Sequence, residues 1–189
     1  MKKITTLIAA IAFTTFTFAQ NTYTLDKNHA RLAFSAFHYG ISHIEGNFKK
    51  FDVTFVSSKE DFSDAQIELT IDVSSINTEV EMRDADLRDN WFEVKKFPTA
   101  VFKSTSFKKV SGKNYKLKGN ITMHGVTKPI EFDVVFNGKG QSPFTKKYLY
   151  GFTIAGKLNR NDFGIGAEPI PTGVAYEIEL VSNVEFIIN

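Results

Sequence analysis

Histidine and carboxylate side chains are the groups of this chain best suited to acid–base or metal chemistry. The four histidines are His29, His38, His43 and His124. A zinc or copper site needs at least three converging ligands, and none of the four belongs to a short ligand motif. His38 or His124 beside the carboxylate of Asp26 or Asp84 could act as a general base, but no spacing demands it. We therefore expect neither a metal site nor a catalytic site, and an enzyme is kept as an alternative.

The sequence offers no motif for nucleophilic or phosphoryl-transfer chemistry. It contains no Cys, which removes thiolate chemistry and disulfides. The G-x-S-x-G, H-E-x-x-H and P-loop patterns do not occur. The letters D-F-G-I-G at 162–166 match part of a kinase signature, but the other kinase motifs are missing.

One helical segment interrupts a chain that otherwise has the pattern of strands. Thr78 and Glu81 form a capping box, which predicts that a helix starts near Glu79. Pro98 closes the segment, because proline cannot continue a helix and stiffens the entry to the next strand. We expect a single helix over about 79–92.

Two charged residues fall on the apolar side of this helix. At about 100° per residue, Val80, Leu87 and Trp91 share one stripe. Asp84 lies about 40° from Val80, and Arg83 lies about 60° to the other side. Since charges face a core only when they are paired, they could lock the helix onto a strand or hold a polar head group. Ion pairs between residues four apart on a solvated face are the third interpretation.

The remaining chain alternates apolar and polar residues with period two, which is typical of strands with one buried face. The clearest runs lie at 65–73, 115–123, 130–136, 148–158 and 174–188, and weaker ones at 22–26, 31–38, 44–56 and 99–107. This all-β pattern indicates a barrel or a sandwich, and about eight strands can close around one small ligand. The inward positions are rich in Phe, which can form a packed core or the wall of an apolar cavity.

The first nineteen residues have the features of a secretory signal peptide. Lys2 and Lys3 precede an apolar run, and cleavage is expected near Ala19–Gln20; a retained anchor helix is the alternative. Without this segment, 21 cationic residues balance 21 acidic ones over 20–189. A neutral chain argues against nucleic acid and against electrostatic docking to membranes. Its length suits one domain.

Four blocks of sequence resemble the YceI family of secreted lipocalin-like proteins, over essentially the whole mature chain. They are D-K-N-H-A-R-L-A-F-S-A-F-H at 26–38 with G-N-F at 46–48; S-S-I-N-T at 74–78 with R-D at 83–84, L-R at 87–88 and F-P-T-A-V-F-K-S-T at 97–105; G-N-I-T-M-H-G-V-T-K-P at 119–129; and N-R-N-D-F-G-I at 159–165. Trp91–Phe92 stands where the family commonly has a Phe pair. We expect this departure to change packing and not the class of fold.

The resemblance implies an eight-stranded antiparallel lipocalin-like barrel, with a helix near one end and an elongated apolar channel inside. It also implies a periplasmic or secreted binding or carrier protein for a polyisoprenoid, an isoprenoid quinone or a fatty-acid derivative. No cofactor other than bound lipid is expected, and a homodimer is compatible with the sequence. An outer-membrane barrel is a further alternative, against which the charged outward faces argue.

The pattern of inward aromatics and of helix-facing side chains supplies our own set of candidate lipid contacts. These are Phe34, His38, Phe48, Phe55, Arg83, Asp84, Leu87, Trp91, Phe102, Phe132, Phe136 and Phe152.

Overall fold

A computed structural model describes residues 20–166 and 173–188. The expected signal segment and cleavage position at 1–19 lie outside the described residues. The strands are β1 (Asn21–Leu25), β2 (Arg31–His38), β3 (Ser42–Phe48), β4 (Phe51–Ser57), β5 (Gln66–Asp72), β6 (Ile76–Asn77), β7 (Thr99–Ser111), β8 (Asn114–Met123), β9 (Val126–Gln141), β10 (Tyr148–Asn159) and β11 (Val174–Ile188). Helix α1 (Glu81–Asp86) continues into a π turn (Leu87–Trp91), and short 3-10 turns cover Lys27–His29, Val73–Ser75 and Arg160–Phe163.

The eleven strands occupy eight positions around a closed antiparallel barrel. Strands β1 and β2 both pair with β11 and share one position. Strands β3 and β4 form the next position, and β5 with β6 the one after it. Strand β7 pairs with β5, each of β8 to β11 pairs with the strand before it, and β1 closes the ring by pairing with β11. The expected eight-stranded barrel is thus confirmed, and the sandwich that the pattern left open is not formed.

Alternation along β8 shows how the sequence defines the inside of the barrel. Tyr115, Leu117, Gly119, Ile121 and Met123 are buried, whereas the residues between them are half-buried or exposed. On the outer face, Lys116 pairs with Glu131 and Asp133 of β9 at 2.9 and 2.8 Å. Because successive strand residues point to opposite faces, this wall has an apolar interior and a charged exterior.

One end of the barrel, which we call the far end, is packed solid with aromatic rings. Phe62, in the loop between β4 and β5, is almost fully buried there. Burial raises the pKa of the neighbouring Tyr23 to about 12, which reflects how dry this region is. In the same loop as Phe62, Asp64 accepts hydrogen bonds from the Ser57 hydroxyl at 2.6 Å and from the Ser58 amide at 3.0 Å. These bonds fix the conformation of the loop.

The helical segment covers the opposite end, which we call the helical end. The predicted capping box is wrong: the residue that precedes α1 is Val80, and no side chain caps the helix. The Thr78 hydroxyl instead donates to the carboxylate of Asp84, at 2.5 Å. The side chain of Asp84, a residue of the helix itself, has therefore taken the hydroxyl that the motif assigned to the helix backbone. The helical stretch itself, from Glu81 to Trp91, agrees with the prediction within two residues at each end.

Candidate functional site

An apolar cavity of about 150 Å³ lies inside the barrel between its two ends. Of the residues that the structure describes, twenty-five line it, and Ser182 is the one polar residue among those. Six of the predicted ligand contacts belong to this lining: Phe34, Phe48, Phe55, Phe102, Phe132 and Phe152. The inward aromatic residues therefore have both of the roles that the sequence left open. They form a packed core at the far end and the wall of an apolar cavity nearer the middle of the barrel.

Glycines on neighbouring strands let several of these rings lie flat against the wall. A Cβ atom added at Gly46 would lie 2.4 Å from the ring of Phe34, and one at Gly156 would lie 2.5 Å from Phe132. Both contacts are closer than real Cβ atoms allow. Any larger side chain at these glycines would push a ring away from the wall, so the glycines help to keep the cavity open.

The cavity is small for a long ligand. A volume of about 150 Å³ holds a molecule the size of benzene, whereas pockets for larger ligands occupy roughly 300–1,000 Å³. Phe34 and Phe132 are only half-buried, and their rings can rotate into different staggered positions. A long chain would therefore have to displace rings as it enters.

Four other predicted contacts lie outside the cavity lining. Phe136 packs against Phe62 in the far-end cluster, with ring centroids 5.4 Å apart. Trp91 and Leu87 lie in the π turn at the helical end. His38 ends β2 and its ring contacts that of Tyr39 at an inclined angle, with centroids 4.3 Å apart.

Arg83 and Asp84, the two charges predicted for the apolar side of the helix, hold the segment that precedes it. Asp84 is 3% exposed and accepts a hydrogen bond from the Thr78 amide at 2.8 Å. Arg83 donates to the Thr78 hydroxyl and to the Thr78 carbonyl, both at 2.7 Å. Thr78, Arg83 and Asp84 are thus hydrogen-bonded to one another. Neither charged side chain lines the cavity. These bonds tie the helix to the residue that follows β6, and not to a strand as the locking interpretation had it.

The ion pairs expected for a solvated helix face are not the ones that form. Arg88 donates to Glu81, seven residues earlier, at 2.6 Å. The side chain of Glu79 instead accepts a hydrogen bond from Asn77, at 2.5 Å.

Arg160 is a buried residue to which the sequence assigned no role. Its guanidinium donates to the carbonyls of Ala175, Ile165, Gly166 and Val174, over 2.7–3.1 Å. The same group lies between the rings of Trp91 and Tyr176, 4.7 and 4.8 Å from their centroids. Burial lowers the pKa of Arg160, and four carbonyls with two aromatic faces replace its lost water. Arg160 thus fastens the β10–β11 connection to the helical end. The N-R-N-D-F-G-I block contained it but gave no sign of this role.

His124 also contributes to the helical end. Its two ring nitrogens contact the Phe163 carbonyl at 2.9 Å and the Glu93 carboxylate at 3.0 Å. The edge of the ring meets Phe97, with centroids 4.4 Å apart. Both nitrogens are therefore occupied by structural partners.

The enzyme alternative required His38 or His124 to meet Asp26 or Asp84. In the part of the chain that the structure describes, Asp84 is hydrogen-bonded to Thr78 and Asp26 pairs with His29 at 2.9 Å. Neither pairing that the alternative needs is formed between these residues.

Among the described residues, one group of side chains has the spacing of metal ligands. Ligand atoms of Asp26, His29 and Glu185 lie within 4.8 Å of one another. The hydrogen bond between Asp26 and His29 lowers the pKa of Asp26 and raises the pKa of His29. That hydrogen bond by itself explains why Asp26 and His29 lie close together. His29 is also exposed to solvent.

Comparison with known proteins places this barrel in a family. The profile of the YceI-like domain matches residues 23–186. The chain belongs to the YceI family. A curated relative, protein YceI of Salmonella arizonae, is 37% identical over 181 residues, covering 94% of this chain and 93% of the relative.

Solved structures of related barrels share the fold. BcnA of Burkholderia cenocepacia superposes with a TM-score of 0.76 at 21% identity, over 85% of this chain and 98% of that one. A polyisoprenoid-binding domain from Saccharophagus degradans superposes with a TM-score of 0.62 at 14% identity, over 88% and 98% of the two chains. No helix in the described residues has both the length and the apolar character that crossing a membrane requires.

Proposed function

We propose that this YceI-family chain is a binding or carrier protein for a long-chain apolar lipid, with no chemical turnover. The observation that carries the proposal is the lining of the cavity, in which every residue but Ser182 is apolar. Such a wall can bind hydrocarbon and offers no group for acid–base chemistry. The similarity to a polyisoprenoid-binding domain supports an isoprenoid chain, either a polyisoprenoid or a quinone tail, ahead of a fatty-acid derivative.

Burial of the tail can supply the affinity. Each buried methylene contributes about 0.8 kcal/mol, so a twenty-carbon tail has a gross gain of about 16 kcal/mol. Association costs roughly 4–15 kcal/mol, and rotation of the displaced rings adds to this cost. The length of the tail can therefore balance the smallness of the cavity.

Export of the chain belongs to the same proposal. The features of residues 1–19 support cleavage near Ala19–Gln20 and a periplasmic or secreted location. There a carrier would shield a water-insoluble chain between membranes.

Native mass spectrometry of protein exported and purified from its own host tests the proposal. Val134 and Val135 supply a matched pair of variants, because Val134 lines the cavity while Val135 is exposed on the outside of the same strand. We expect a lipid adduct on the wild-type chain and on Val135→Phe, and a much weaker adduct on Val134→Phe. Absence of lipid from the wild-type chain, with no binding of added prenyl lipids, would refute the proposal.

A further inference from the structure

The wall of the barrel has a seam, a gap between two separate strand pairings that join the first two of its eight positions. The pairing of β1 with β4 ends at Thr24 and Thr54, and the pairing of β2 with β3 starts at Leu32 and Phe48. In the described chain, no register pair joins residues 25–31 to residues 49–53. The amide of Lys49 bonds instead to Ser75 on the other side. The seam is thus a gap between two separate runs of paired residues.

A second cavity, an open groove of about 510 Å³ that we call the outer groove, lies over this seam and adjoins the apolar cavity. Phe48 and Phe51 line both this outer groove and the apolar cavity. Both residues are half-buried. Two aromatic side chains therefore separate the apolar interior from the surface at this place.

The rim of the groove carries an excess of positive charge. Lys27, Arg31, Lys49 and Lys50 line it, together with one acidic residue, Asp52. Lys27 pairs with Asp52 across the seam at 2.5 Å, and Lys50 lies 3.9 Å from Asp72. Within the described residues, Arg31 and Lys49 form no ion pair with a carboxylate. Since the mature chain is neutral as a whole, this concentration of cations is local.

We propose that the seam is the entrance for the lipid, and that its basic rim binds an anionic phosphate head group. This inference rests on the proposed function. The tail would pass between Phe48 and Phe51 into the cavity, and the phosphate would remain outside on Arg31 and Lys49. A guanidinium binds phosphate oxygens in a bidentate manner, and a lysine adds a mobile point charge. The apolar cavity cannot hold a charged head, because burying an unpaired charge is costly.

The head-group part of the proposal is tested by comparing geranylgeranyl phosphate with geranylgeraniol, which has the same tail without the charge. We expect the wild-type chain to prefer the phosphate by roughly tenfold or more at low salt, and the preference to shrink as salt is added. The double variant Arg31→Gln/Lys49→Gln should lose this preference and still bind the alcohol. The control Lys108→Gln/Lys109→Gln changes two exposed lysines of β7 and should behave as wild type.

Three results would overturn the assignment of the head group. They are an unchanged preference in the Arg31/Lys49 double variant, a preference that does not depend on salt, and binding of inorganic phosphate as tight as that of the prenyl phosphate. The last result would indicate a site for free phosphate. The salt dependence is measured on the wild-type chain and stands even if the variant folds poorly.

The entrance itself is tested by closing the seam. The natural chain has no Cys, so the pair Lys27→Cys/Asp52→Cys can be bridged by a short bismaleimide without side reactions. The control Lys116→Cys/Asp133→Cys bridges two register partners on the intact β8–β9 ladder. Bridging across the seam should slow uptake of geranylgeranyl phosphate from vesicles at least about tenfold, and bridging the control should not.

Equal uptake by the two bridged proteins would show that the lipid enters elsewhere. Failure of the unmodified wild-type chain to bind either prenyl probe would be a different result. It would refute the proposed function, and the inference about the seam would fall with it.

Discussion

Replacing Phe62 by Ala should remove the plug that closes the far end of the barrel. The side chain is 1% exposed. Its ring contacts seven others, with centroids 5.4–6.4 Å away: Tyr23, Phe55, Phe107, Tyr115, Phe136, Tyr150 and Phe152. Truncating a buried Phe to Ala costs about 3–5 kcal/mol, and edge-to-face contacts of this kind add to the loss. We expect about 4–5 kcal/mol of destabilisation.

Urea denaturation of a chain that comprises residues 20–189 measures this loss. For a domain of this size, about 4 kcal/mol lowers Tm by about 8–16 °C. The matched control is Phe144→Ala, because Phe144 is 93% exposed and its removal should change the free energy of unfolding by less than about 0.5 kcal/mol. An apolar ligand should recover part of the stability of Phe62→Ala, since Phe55, Phe107 and Phe152 in contact with Phe62 also line the cavity.

The backbone of Phe62 provides a second test of the same reasoning. Its φ is 58°, a left-handed conformation that disfavours every residue except Gly by about 1 kcal/mol. Phe62→Gly should therefore be no less stable than Phe62→Ala, although Gly is normally the worse choice. A loss below about 1 kcal/mol for Phe62→Ala, or an equal loss for Phe144→Ala, would refute the view that Phe62 is a structural plug.

Three further substitutions test the contacts that hold the two ends in place. Arg83→Ala should lower Tm and leave lipid binding unchanged, because Arg83 holds Thr78 and does not line the cavity; weaker binding with unchanged Tm would make it a head-group contact. Arg160→Met leaves four carbonyls without their donor and should cost about 3–5 kcal/mol in chemical denaturation, whereas a near-neutral result would contradict its role as a fastener. Asp64→Asn should cost about 1–2 kcal/mol at pH 7. The Ser57 and Ser58 hydrogen bonds hold the pKa of Asp64 well below its usual range, so its stabilisation is present above about pH 4 and lost on acidification. The difference between wild type and Asp64→Asn should accordingly shrink as the pH falls below 4, and a constant difference would exclude this linkage.

The sequence predicted the barrel well, because the alternation of apolar and polar residues along each strand shows which side chains face the interior. Along β8, each residue that the alternation assigned to the inside is buried. The run at 44–56, in contrast, looked like one strand, yet β3 ends at Phe48 and β4 begins at Phe51. The break follows from the bonds that Lys49 and Lys50 make to Ser75. Those partners lie about 25 positions away in sequence, where no local pattern can show them.

Phe62 and Phe144 show why the candidate site could be predicted only in part. Both stand alone among polar residues in loops, and local sequence makes them equivalent. The fold buries one almost completely and exposes the other. The six predicted rings that do line the cavity all lie on strands, where alternation fixes the direction of the side chain. The burial of Arg160 likewise depends on partners that local sequence does not show, among them the carbonyls of Val174 and Ala175.

The strength of the contacts that close the far end, the helical end and the seam determines where a ligand can most easily enter the barrel. Opening the far end means withdrawing Phe62, at about 4–5 kcal/mol, and opening the helical end means disrupting the donors of Arg160, at a similar cost. The seam is crossed by the Lys27–Asp52 pair, whose side chains are 66% and 73% exposed. Exposed ion pairs contribute about 0–1 kcal/mol. Among the closures formed by described residues, the seam is therefore the one held by a solvent-exposed ion pair and not by a buried network of contacts. No register pair joins residues 25–31 to residues 49–53 in the described chain, so a chain passing there would have to displace the rings of Phe48 and Phe51.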